Sequence, residues 1–142
     1  MKSLTVSFLI LATAMSVASA DPIADRKALM KERGGLTRQL APIAKGDEPF
    51  DAAKVAEVFA LLEANAAKHD IATLYPAGSF EGDTKASPKI DADRAGYQAA
   101  SDKYKADVAA ALAAKPQDVE AFRVEFGKIT ANCGGCHQAW RS

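Results

Sequence analysis

From Val119 to the C-terminus, apolar side chains recur at steps of three and four without a miss: Val119, Phe122, Phe126, Ile129, Cys133, Cys136 and Trp140. Residues three and four apart share one side of a 3.6-residue turn, so this seam belongs to a helix that buries one face. A half-buried strand would alternate instead, and no segment of the 142 residues does so convincingly. The same steps run through Tyr97, Ala100, Tyr104, Val108 and Leu112, and through Val55, Phe59, Leu62 and Ala66. Earlier still, Ile23, Met30 and Thr37 fall at sevens beside Leu29, Leu36, Leu40 and Ile43.

The breaks between these stripes divide the chain. Asp21-Pro22 is a helix start, an acidic cap followed by a proline at the first helical position. Gly46, Pro49 and Asp51 interrupt and restart the pattern, and the second stripe fades near Asp70. A longer connection, roughly 71–87, carries Pro76, Gly78 and Gly82 as breakers, with Pro88 just beyond. Ser87-Pro88 reads as the opening of a third helix, and Lys115-Pro116 separates it from the last. Four amphipathic helices of roughly 20 residues, each about 30 Å long, predict an all-α chain folded as an antiparallel four-helix bundle.

The first twenty residues stand outside that pattern. Lys2, the apolar run Leu4 to Leu11 and the closing Ala18-Ser19-Ala20 form a cleavable signal peptide, too short to span a bilayer comfortably. Residues 21–142 are then one exported, periplasmic domain with no membrane span, too short for a second core. Without Lys2 it carries 17 basic against 18 acidic side chains. That balance argues against a nucleic-acid partner.

The chemistry sits in the last helix, at Cys133-Gly134-Gly135-Cys136-His137. C-x-x-C-H is the attachment sequence of c-type haem. Thiols three apart lie on one side of a helical turn and can each add to a vinyl group, giving two thioethers. His137 then reaches the iron as proximal ligand. Gly134 and Gly135 leave the porphyrin edge unobstructed. Other uses of the pair are a structural disulfide, a thioredoxin-like redox centre or a zinc site. The redox centre normally opens a helix after a strand, which this chain lacks. Zinc would want a fourth ligand, and His69 is the only other imidazole.

The second axial position decides what such a haem does. After signal removal Met30 is the one methionine left, on the seam of Ile23 and Thr37, with Gly34 one turn on to clear room for a flat macrocycle. It is a candidate distal ligand or, equally, a core gap-filler. His69, between Lys68 and Asp70 at the end of the second helix, reads as a solvated imidazolium favoured by the helix terminus.

These residues resemble the cytochrome c′ family over essentially all of 21–142. The resemblance is carried by Arg26-Lys27-Ala28-Leu29-Met30-Lys31, by Ala44-Lys45-Gly46 with Pro49-Phe50-Asp51, and by Cys133 through Arg141 with its C-terminal haem motif. Leu29-Met30-Lys31 is similar to the low-spin cytochrome c-556 branch, which implies that Met30 is the sixth iron ligand. The resemblance also implies that Arg26 lies near a haem propionate and that Arg141 is the basic residue following the proximal histidine.

The expected function is therefore a one-electron carrier, not an enzyme, with one covalent haem c whose iron lies between His137 and Met30. Redox proteins are its expected partners. A five-coordinate haem binding nitric oxide or carbon monoxide at a vacant site is the alternative, and a haem-free disulfide protein a third reading. Ala-rich faces on the first two helices leave a homodimer open.

Overall fold

A computed structural model describes residues 21–142; the signal peptide expected at 1–20 lies outside them. Six helices make up these residues: α1 Pro22–Lys45, α2 Ala52–Ala67, α3 Ile71–Leu74, α4 Lys89–Ala92, α5 Arg94–Ala114 and α6 Val119–Trp140. The long ones, α1, α2, α5 and α6, form the four-helix bundle that the apolar stripes predict. Among the described residues no helix is long and apolar enough to cross a membrane.

The helix starts are set by aspartates. Asp21 Oδ1 accepts from the amides of Ile23 and Ala24 at 3.0 and 3.1 Å, and Asp51 Oδ1 from those of Ala53 and Lys54 at 2.9 and 3.0 Å. Each satisfies two of the amides that a helix leaves without an internal partner. Asp51→Ala should lower stability by about 1 kcal/mol, read as an earlier urea midpoint with unchanged cooperativity. Gly46 closes α1 at φ 88°, the left-handed conformation in which glycine carries no Cβ penalty.

Phe59, Phe122, Leu40, Ile43, Leu62, Val55, Val108 and Ile129 fill the bundle interior and are essentially solvent-free. Phe122 lies between Phe59 and Phe126, at ring-centroid distances of 6.1 and 5.3 Å. A second cluster of Leu29, Ile71, Leu74, Tyr75, Ile90 and Tyr97 sits beneath the connection between α2 and α5.

That connection differs from its expected form. Ser87-Pro88 does open a helix, but α4 is a single turn; the backbone breaks at Asp93 (φ −135°, ψ 62°), whose side chain then caps α5 through Gly96 N at 2.9 Å. The long third helix thus begins at Arg94. An Asp that can accept the amide three residues on competes successfully with continuation of the turn. The segment is also tied down rather than loose. Ser87 N donates to Trp140 O and Ser142 N to Lys85 O, both at 2.9 Å, around a bridge between Ala86 and Arg141. The connection therefore closes over the end of α6.

Candidate functional site

A cavity of about 800 Å³ is lined by most of α1, by His69, Tyr75 and residues 83–90 of the connection between α2 and α5, by the first half of α5 and by the last turns of α6. The volume lies at the upper end of what small-molecule and cofactor sites occupy. Its position follows from the helix faces. Ile129 is fully buried in the bundle core, but Cys133 and Cys136, on the same face of α6, are only half-buried. The seam continues past the point where the core ends, and its last members face the cavity.

Cys133, Cys136 and His137 line this cavity together with Met30, Gly34, Arg26 and Arg141. All the expected site residues therefore converge on one space. The two thiols are free, with Cys133 Sγ 3.6 Å from Ile129 O. Burial pushes both thiols up from their ordinary value, partly opposed by the charge of Arg33. Burial likewise lowers His137, helped by Arg141 and Arg33, so its imidazole is held toward the neutral, metal-binding form. Gly134 and Gly135 are exposed, away from the cavity, and a Cβ at either meets nothing within 4 Å. Their smallness is not needed to clear the cavity from protein atoms. Gly34, by contrast, does line it, where a Cβ would come within 3.4 Å of Arg38 Nη1.

Arg26 is 3% exposed and holds the connection in place. Nη1 donates to Leu74 O at 3.3 Å and Ser79 Oγ at 3.0 Å, while Nη2 donates to Ser79 O and to Thr84 Oγ1 at 2.7 Å. Its guanidinium also lies 5.3 and 5.7 Å from the ring centres of Tyr75 and Phe80. Of its nitrogens only Nε is buried without a partner. Arg141, at the end of α6, is exposed and lines the mouth of the cavity.

His69 departs from expectation. It is 3% exposed rather than solvated, and it lines the cavity. Nε2 lies 3.3 Å from Tyr97 Oη and Nδ1 3.3 Å from Ser101 Oγ, with the Tyr75 and Tyr97 rings at centroid distances of 5.7 and 5.9 Å. Desolvation, reinforced by the positive charges of Arg33 and Lys105, lowers its pKa to about 4. A helix terminus favours an imidazolium only while water reaches it, and here α5 covers the ring. The Tyr97 hydroxyl, also desolvated, is pushed well above its ordinary value.

Arg33 was passed over for a similar reason. The buried positions of α1 are Arg26, Leu29, Arg33, Leu36, Leu40 and Ile43, steps of three and four with two arginines on the stripe. Counting apolar residues alone hides Arg33; a test of whether charged residues complete an otherwise apolar period finds it.

The residues fit a covalently held haem. Two free thiols and an imidazole stand together at the wall of a large cavity. Three polar atoms, Arg26 Nε, Arg33 Nη2 and Tyr104 Oη, are buried without protein partners, and all three residues line the same space. Buried polar groups normally have partners, so orphaned atoms in a cavity wall mark it as a place for a bound group.

Residues 21–141 match the family model described as Cytochrome C'. The chain is 35% identical over 136 residues to a cytochrome c' of Rhodopseudomonas palustris, covering 94% of this chain and 90% of the relative. It is 33% identical to a cytochrome c-556 of Agrobacterium fabrum, covering 89% and 84%. Among solved structures, cytochrome c' from Rhodopseudomonas palustris superposes with a TM-score of 0.80 at 34% identity, over 87% of this chain and 98% of that one. Cytochromes c′ and c-556 are haem proteins with covalently attached haem c, acting as electron carriers or gas binders. A cavity walled by free thiols and an imidazole at the end of a four-helix bundle, with homology along the whole described chain, places this protein in the cytochrome c′ family.

Proposed function

We propose that this protein is an exported one-electron carrier of the low-spin, cytochrome c-556 kind, working in the periplasm once residues 1–20 are removed. Cys133 and Cys136 hold the haem through thioethers, His137 is the proximal ligand and Met30 the distal one. The observation that carries this reading is the convergence of Met30 with Cys133, Cys136 and His137 on one cavity.

The bound haem supplies a reversible one-electron couple at iron. The chain's own residues keep that couple in place and tune it. Methionine opposite histidine raises the potential. The connection between α2 and α5, held by Arg26 and by its contacts with the end of α6, limits water at the site. No acid, base or nucleophile is called for, and redox proteins are the partners, met on a surface near charge balance.

Met30→Ala tests the distal assignment. The oxidised wild-type protein should show a long-wavelength sulfur-to-iron band and, when reduced, bind carbon monoxide poorly. The variant should lose the band and bind carbon monoxide readily. Wild-type protein that lacks the band and takes up carbon monoxide freely would instead be the five-coordinate, gas-binding cytochrome. That reading stays in view because both cytochromes c' and cytochromes c-556 stand among the similar proteins.

A further inference from the structure

Arg33 is 8% exposed, and its hydrogen bonding is incomplete. Nε donates to Asn65 Oδ1 at 2.9 Å, and the guanidinium carbon stands 4.2 Å from the centre of the Tyr104 ring. Nη2 is buried with no partner. Among the described residues no carboxylate lies within salt-bridge distance of it. Glu32 is joined to it only through Asn65, whose Nδ2 donates to Glu32 Oε2 at 2.9 Å and to Leu29 O at 3.2 Å. Glu32 also faces out, paired with Lys68 at 3.1 Å. A buried positive charge is thus fixed in the cavity wall, one helical turn after Met30, with no carboxylate in direct contact and Glu32 acting on it only at longer range.

Such a charge is expensive to bury. Asn65 and Tyr104 lock the side chain so that it cannot swing to solvent, and the groups lining the cavity feel it. Its positive charge opposes the burial-driven rise of Cys133, Cys136 and Tyr104, and contributes to the lowering of His69 and His137.

We infer that Arg33 is a potential-setting residue: its fixed buried cation favours the reduced over the oxidised state of the haem held in this cavity. The inference rests on the haem occupying the cavity as proposed above, but not on Met30 being a ligand. Reduction takes one electron from a redox partner and lowers the positive charge at iron by one. A nearby cation in a low-dielectric wall opposes the oxidised form, and ions in solution screen it poorly there.

The test is spectroelectrochemical titration of the holoprotein, comparing wild type with Arg33→Met and Arg33→Lys. Arg33→Met keeps a long side chain and removes the charge. Its reduced-to-oxidised ratio at a fixed ambient potential should fall about tenfold, a downward shift of about 59 mV for one electron. Arg33→Lys should retain most of the wild-type potential. An unchanged or raised potential in Arg33→Met overturns the inference, as does an equal fall in both variants, which would mean lost packing rather than lost charge. Absorption spectra recorded in the same titration report haem attachment and ligation separately. A failure of the proposed function is therefore visible independently of a failure at Arg33.

Discussion

Replacing Cys133 and Cys136 together by serine should abolish covalent haem. A thioether forms when a thiol adds across a vinyl group, and a serine hydroxyl is far too weak a nucleophile to replace it. Both cysteines are free, on one side of α6 and at the wall of the 800 Å³ cavity. The readout is haem-dependent staining of the polypeptide after denaturing electrophoresis, with protein made in a host that matures c-type cytochromes. Wild type should stain and the double variant should not, while each single variant keeps one bond and a weakened signal. Covalent haem persisting in the double variant would overturn the attachment assignment, and with it the proposed function.

Acid should destabilise the protein through His69 well before most carboxylates titrate. The imidazole has a pKa of about 4 when folded, against 6.5 for an unperturbed histidine. The unfolded chain therefore binds a proton that the folded chain refuses. Stability is at its plateau above pH 6.5 and falls as pH drops from 6.5 toward 4, by about 3 kcal/mol in all. Below pH 4 both states are protonated and this contribution is flat. Urea unfolding of the holoprotein between pH 7.5 and 4.5 measures the slope. His69→Gln, which keeps a donor and an acceptor for Ser101 and Tyr97 but cannot titrate, should be flatter over that range. Parallel curves for the two proteins would show that His69 is not held neutral. The paired carboxylates Asp107 and Asp83 are held below their ordinary values, by Lys103 and Lys27 respectively, and add their own losses at lower pH equally in both proteins.

Both experiments rest on residues whose roles were unequally legible. The cysteine pair and His137 form a contiguous motif, and the spacing of two thiols on one helical turn carries its chemistry without knowledge of the rest of the chain. The bundle was legible for a related reason. Leu36, Leu40, Val55, Phe59, Val108, Phe122 and Ile129 lie on periodic stripes and are all buried in the core. Met30 was legible as a candidate because few side chains can bind iron from the first helix.

Other positions were decided by distant contacts. His69 neighbours Lys68 and Asp70, and local sequence reads as a polar helix end. It is Tyr97 and Ser101, about thirty residues on, that bury it. The resemblance places Arg26 near a propionate, but only the structure shows that most of its donors go to Leu74, Ser79 and Thr84 and hold down the connection that closes the site. Ser87-Pro88 looked like the start of a long helix, but the side chain of Asp93 restarts the turn and leaves α4 as one turn of its own.

By itself the sequence determined that the chain is helical, where most of its long helices begin and end, and that a C-x-x-C-H motif stands in the last of them. These are local properties, set by periodicity, caps and one short motif. Only the tertiary structure decided which charged and polar side chains leave water. The burial of Arg26, Arg33 and His69 depends on what packs over them from elsewhere in the chain. The electrostatic character of the cavity follows from that packing, because a charge is expressed strongly only where water has been excluded.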